Sequence, residues 1–408
     1  MSNTEPRPAE QVCVNGPQDP TPPPGAPDAP ETATGTAGDA ASGLRDGVTR
    51  TAAGVELLEP RDVPLGGPRA MTVRRTLPQR ARSLVGAWCF LDFYGPDDLS
   101  VSTPMRVPRH PHTGLATVSW LFSGRIDHID SAGNWATVRP GEVALMTAGR
   151  GITHSEHSSV DTTTLHGAQL WYALPEEHRF TTPRLDSRPA EVASGDGWRA
   201  TVFLGELLGV RSPVPTPVPL TGAELRLEPG AELEIEVPAE HEHALLHVSG
   251  AVALDGVDVA ADHLAVVDVG RERLRITAGE EPVIALLLGG EPLGEQIVMW
   301  WNFVGRSHEE IAAYRAAYQA EMGFEAPEEG SPLRRAPGTL GVADDGGRGG
   351  ADGGVALGEP VHGTLRDALA GSTYADGRPF PQFGDFPPGQ EAPLPAPELP
   401  GVRMRPRG

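Results

Sequence analysis

Short apolar runs separated by glycine and proline fill the middle of the chain. One series covers residues 115–122, 142–147, 163–174 and 201–204. A second covers 223–227, 233–237, 244–248, 264–267, 274–277 and 283–288. Apolar stretches of this length, bounded by turn residues, read as strands, and many of them in succession predict an all-β sandwich or barrel. Two series of similar extent predict an internal duplication. One helix is marked by a Ser-x-x-Glu capping box at Ser307 and Glu310, ahead of Ile311. Ile311, Tyr314, Tyr318 and Met322 fall on or near one of its faces, and Gly323 can cap its end. Such a helix is expected to pack on a barrel and close the fold.

Outside this region the pattern lapses. Residues 1–53 and 325–408 carry Pro, Gly, Ala, Thr and Asp without periodicity and read as disordered, solvated tails, with a weak binding candidate at residues 380–386. The chain of 408 residues contains 50 Gly and 42 Pro, and only 5% of it is aromatic, so its tails cannot bury enough apolar surface to offset the entropy of ordering. The net charge of −22 excludes an extended nucleic-acid or anionic-membrane surface, which needs clustered basic charge. All basic residues are Arg. Two cysteines, Cys13 in a tail and Cys89 in an apolar run, are no disulfide framework. The start of the chain lacks a signal-peptide pattern, and no run approaches a membrane span. A cytoplasmic protein is the expectation.

The chemistry gathers in two short segments. In extended chain, residues two apart point to the same side. His110 and His112 therefore project together. If the register continues, Ala116, Val118 and Trp120 lie on that side as an apolar wall, with Thr117 and Ser119 opposite. Downstream, His154 and Glu156 repeat the spacing, with Ile152 on their side and His157 turned away. Two neighbouring strands could bring both pairs together inside a barrel. Three imidazoles and a carboxylate suit one divalent transition metal; Fe(II) is the first expectation, and residue identity leaves Ni, Cu, Mn and Zn open. A closed structural zinc site usually draws on Cys, and none is near.

These segments resemble the pirin family of the cupin superfamily. The resemblance rests on His110-Pro111-His112-Thr113-Gly114, Thr117-Val118-Ser119, Pro140-Gly141-Glu142, the run from Met146 to Ile152, His154-Ser155-Glu156 and Gln169-Leu170-Trp171. Gly289-Gly290-Glu291-Pro292-Leu293 resembles the family's second-barrel signature. The resemblance covers residues 55–324 or thereabouts. It implies a bicupin, two tandem jelly-roll β-barrels with one iron in the first, and places the ligands on His110, His112, His154 and Glu156. The expected layout is a tail over 1–53, a metal-binding barrel over 54–190, a metal-free barrel over 191–304, a packing helix over 305–324 and a tail over 325–408. Counting from the first barrel, the corresponding ligand positions of the second fall on Glu236, Pro238, Leu274 and Ile276. The His241/His243 pair is out of that register and reads as a solvated strand end. His128 is read as lacking paired spacing and receives no role, Cys89 reads as core, and Arg150 is left open.

The resemblance further implies dioxygenation of a flavonol-like enol, as by quercetin 2,3-dioxygenase, with the small-molecule enol and dioxygen as partners and Glu156 as the general base. The alternative is a metal-containing regulatory or redox-sensing protein that docks on a partner protein without turnover.

Overall fold

The computed structural model describes residues 11–13, 44–45, 47–65, 71–326 and 383–404. Over these residues the chain forms two jelly-roll-like units made almost wholly of antiparallel strands, with one helix. The first unit sets a seven-stranded sheet, which includes Trp88–Asp98, Leu115–Ser123, Glu142–Thr147 and Thr164–Ala173, beside a four-stranded sheet. The smaller sheet runs in the order Trp135–Val138, Ile126–Asp130, Ile152–Ser158, Arg106–His112. The second unit repeats the plan. A nine-stranded sheet includes Leu220–Leu227, Glu242–Ser249 and Val283–Gly290, and a four-stranded sheet includes Glu232–Glu236 and Arg273–Ala278. No helix among the described residues is long and apolar enough to cross a membrane.

Every apolar run singled out in the sequence falls on a strand. Their patterns differ with position. Glu232–Glu236 alternates, with Leu233 and Ile235 buried and the glutamates outside. Leu115–Ser123 is instead buried at seven successive positions. That strand lies between two cores. Ala116, Val118 and Trp120 join Ala244, Leu246, Leu286 and Leu288 in a core shared by the two units. Leu115 and Leu121 pack on the opposite side within the first unit. A strand covered on both faces has no reason to alternate. Each large side chain buried there contributes about 1.5–3 kcal/mol.

The division at residues 54, 190 and 304 needs correction, because the ends of the chain are exchanged. Val55–Leu58 pairs with Leu264–Val267 and so belongs to the sheet of the second unit. Val48–Arg50, expected in a disordered tail, pairs with Val55–Leu58. Conversely, Phe303 bridges to Thr113 of the first unit, and Val304 N–H donates to Thr113 O at 3.1 Å. The helix spans His308–Glu321 with Ser307 as N-cap, as the capping box predicts. It buries Ile311, Tyr314 and Tyr318 against Trp301 and Phe303. Arg179 of the first unit binds Glu310 at 2.9 Å and the Tyr314 hydroxyl at 3.1 Å, fixing the helix in place.

The tail expectation also fails for residues 383–404. They lie along the helix and the outer face of the smaller sheet of the first unit. Phe383 is fully buried, and its N–H and that of Gly384 donate to the Glu321 carboxylate at 3.0 and 2.7 Å. Tyr318 donates to Leu394 O at 2.6 Å, and Arg109 stacks over Phe386. The physical reason is a mixed apolar and polar face on the helix that a short segment can satisfy without periodicity of its own. Residues 380–382 of the binding candidate lie outside the described residues.

One buried cation ties these parts together. Arg82 is fully buried in the loop between strands Met71–Leu77 and Trp88–Asp98 of the first unit; it binds Glu56 at 2.5 Å, Glu242 at 3.2 Å, and Asp268. Glu242 also accepts the Gly86 N–H at 2.7 Å. Removing one partner of a buried ion cluster leaves the others uncompensated. Arg82→Met is expected to destabilise the protein by about 3–5 kcal/mol in urea unfolding. Arg82→Met with Glu242→Gln should recover part of that loss, and a single-variant effect below about 1 kcal/mol would contradict the role given to the cluster.

Candidate metal centre

Strand alternation delivers the predicted ligands to one place. Arg106–His112 and Ile152–Ser158 are neighbours in the smaller sheet, with His110 opposite His154. His110, His112 and His154 are fully buried, and Glu156 is 1% exposed. His112 Nε2 lies 3.1 Å from His110 Nε2 and 3.0 Å from His154 Nε2. The three rings thus aim the same nitrogen at a common point, and their ligand atoms all fall within 4.8 Å of one another. Glu156 falls in a second, overlapping cluster with His154 and His128. His154 belongs to both.

Burial disfavours the charged form of each ring. It lowers His110 to about 4, and with neighbouring imidazoles it holds His112 and His154 well below the ordinary 6.5. The rings are therefore neutral at pH 7, with lone pairs available at Nε2. The donor set of neutral imidazoles with a carboxylate nearby fits a first-row divalent ion. Two of the outer nitrogens are also engaged: His110 Nδ1 donates to Pro108 O at 2.8 Å, and His154 Nδ1 meets His128 Nδ1 at 3.4 Å.

The apolar wall is on the wrong side in the sequence reading. Gly114 stands between the two strand segments with φ +68°, and a Cβ on it would lie 2.3 Å from Val304 O. The chain turns there, so parity is not carried from His112 into Leu115–Ser123. Val118 and Trp120 therefore face the other unit, where Trp120 Nε1 donates to Glu224 at 2.8 Å. Ser119 faces the site instead and contacts Glu156 Oε1 at 3.2 Å and the Gln169 side-chain amide at 2.9 Å. A single hydroxyl hydrogen cannot serve two acceptors. Turning the Gln169 amide lets its N–H donate to Ser119 while Ser119 donates to Glu156, which also satisfies the otherwise unpartnered Gln169 Nε2. The Tyr94 phenol is held protonated by burial and by the negative charges of Glu156 and Asp92.

His128 is the residue that sequence reasoning missed. It is 3% exposed, lies opposite Glu156 in the neighbouring strand, and reaches Asp130 Oδ2 at 3.3 Å. Burial opposes charge on Asp130, yet hydrogen bonds from His128 and Asn134 hold its carboxyl below the ordinary range. The signal was a third i, i+2 pair, His128 and Asp130, of the same histidine-and-carboxylate form as His154 and Glu156. His157 turns outward as expected, toward Glu391 at 4.0 Å. Cys89 is buried core. Arg150 donates its N–H to Thr181 O at 3.1 Å from a turn.

The second unit differs. Ile235 faces Leu274 across its strand pair as His110 faces His154. The inward positions are therefore Ile235, Val237, Leu274 and Ile276, all aliphatic and buried. The sequence count to Glu236 and Pro238 was one residue late. His243 is buried, not a solvated end, and its ring centroid is 6.1 Å from that of His241. Both line a cavity of about 880 Å³ with Leu207, Arg211, Thr221 and Val237. Among the described residues no third His, Cys, Asp or Glu joins them as a metal group.

Tandem jelly-roll units with a histidine cluster in the first define a two-domain cupin. The profile described as Pirin matches residues 70–172, and that of the Pirin C-terminal cupin domain matches 222–324. A Pseudomonas aeruginosa protein named "putative quercetin 2,3-dioxygenase" is 40% identical over 260 residues, covering 64% of this chain and 82% of its own. A pirin-like protein of Caulobacter vibrioides is 38% identical over 262 residues, covering 61% of this chain and 88% of its own. The crystal structure of quercetin 2,3-dioxygenase from Acinetobacter baumannii superposes with a TM-score of 0.67 at 28% identity, covering 86% of this chain and 98% of that one. The chain belongs to the pirin family.

A lowered folded-state pKa lets the unfolded chain bind protons first as pH falls. The contribution of these histidines to stability is therefore whole above about 6.5 and is lost as pH falls toward about 4. The thermal midpoint of chelator-stripped protein should fall over that window more steeply than that of a His112→Leu variant. Parallel curves would contradict the assignment.

Proposed function

We propose that this chain is a metal-dependent dioxygenase of the quercetin 2,3-dioxygenase type, acting on a flavonol-like enol. The observation that carries the reading is the convergence of three buried, neutral imidazoles beside a buried carboxylate, on a chain related to proteins named for that activity. His110, His112, His154 and Glu156 would hold one divalent transition ion, with Fe(II) the first choice. Bound there, the ion would supply Lewis acidity toward the enol oxygens and access to dioxygen chemistry.

The protein's own groups give the rest. Glu156 is placed to take the enol proton as general base. Ser119, steered by Gln169, directs one carboxylate oxygen and so holds the other toward the cluster. Tyr94, kept as a neutral phenol, is a hydrogen-bond donor rather than a competing base. Burial of the whole group keeps water from the reacting centre.

Iron-loaded protein incubated aerobically with quercetin should consume it. Glu156→Gln should lower turnover by roughly 10²–10⁴-fold, the span of general base catalysis, while retaining most of its metal by elemental analysis. Full turnover by that variant would remove Glu156 as base. No quercetin loss at any metal loading would instead favour the regulatory reading, in which the site senses redox state and the protein docks on a partner.

A further inference from the structure

We propose that His128 is a positioning residue for the metal centre, holding His154 in its ligating tautomer through a directed chain of hydrogen bonds anchored on Asp130. The inference rests on the metal reading above and deepens it.

A histidine that offers Nε2 to an ion must carry its hydrogen on Nδ1, and whatever accepts that hydrogen fixes both the tautomer and the ring plane. His110 uses backbone for this, turning to Pro108 O at 2.8 Å. His154 differs. Its Nδ1 faces His128 Nδ1 at 3.4 Å. Since His154 must donate, His128 Nδ1 must accept, which puts the His128 hydrogen on Nε2. Asp130 Oδ2 lies 3.3 Å from that nitrogen and accepts it. The other oxygen of Asp130 accepts the backbone N–H groups of Ala132 and Asn134 at 2.9 and 3.0 Å, and the Asn134 side chain holds both oxygens. The carboxylate is thus fixed by a tight turn and can only accept. Direction runs one way, from His154 through His128 to Asp130 and the turn.

Strand geometry makes the line. His128 is opposite Glu156, and Asp130 is opposite His154, in one antiparallel pair. All four side chains lie on the inner face, where His128 is 3% exposed and Asp130 fully buried. A histidine that only filled space would leave one ring nitrogen without a partner; here both nitrogens meet groups of the required polarity.

The test is a cobalt(II) titration of the full chain after chelator stripping, read by visible d–d absorption and competition with a chelator. Wild type should take up one cobalt per chain. His128→Phe, which keeps a ring and removes both nitrogens, should bind roughly 10–100-fold more weakly with an altered d–d spectrum, as loss of an outer-shell partner does. Asp130→Asn should move affinity and spectrum in the same direction, and it carries the test if His128→Phe does not fold. His157→Ala, on the same strand as His154 but facing outward, should bind as wild type. Affinity and spectrum of both inner variants matching wild type within twofold would overturn the proposal. So would X-ray absorption showing that His128→Phe removes an imidazole from the cobalt shell, which would make His128 a ligand. Wild-type protein that takes up no cobalt would overturn the metal reading as well, so the two failures are distinguishable.

Discussion

Three uncharged imidazoles that point the same nitrogen at each other across about 3 Å set the terms for the rest of this molecule. The cluster is sealed from solvent, so the strands and their neighbours, rather than water, set where each ring points. The holding is done outside the cluster. A backbone carbonyl meets His110 from behind, His128 meets His154, and Arg109 and Thr153, which point to the opposite face of the same strands, are bonded to each other at 2.9 Å and to residues 383–384.

The exchange of chain ends follows from the same need for rigidity. The first unit alone would leave the back of its histidine-bearing sheet and the Thr113–Gly114 turn exposed. The segment Ile297–Gly305 and the helix come from beyond the second unit to cover them, so the first unit is complete only when the whole chain has folded. Val55–Leu58 makes the reciprocal crossing. Between the crossings sits Arg82, whose three acidic partners come from the exchanged strand and from the second unit. A buried arginine shared among carboxylates tolerates only one arrangement of the strands that bear them, so it fixes register between the units as well as contributing to stability.

Much of this was legible from the residues. Strand positions follow from run length and turn residues, the helix from its capping box, and the histidine convergence from i, i+2 spacing in two segments. What failed did so for identifiable reasons. Gly114 has no side chain to reveal that parity ends there; only its approach to Val304 and its positive φ show it. His128 was read as lacking paired spacing, although His128 and Asp130 repeat the i, i+2 spacing of His154 and Glu156. The second unit was miscounted by one residue, and in a strand one residue exchanges inside for outside: Glu236 in place of Ile235. Residues 383–404 bind by isolated buried side chains, Phe383, Ala396 and Met404, and by scattered hydrogen bonds to the helix and the sheet, a pattern with no period to detect.

The duplicated halves then explain each other. Both build the same strand pair, but where the first sets His110 and His154 inward, the second sets Ile235 and Leu274. Aliphatic side chains at those points pack into an apolar core that also takes in Val55 of the exchanged strand. That core continues into the one shared with the first unit through Leu245 and its outward neighbours Ala244 and Leu246. The half whose inward positions are aliphatic thus braces the half whose inward positions are histidines, through the core the two share.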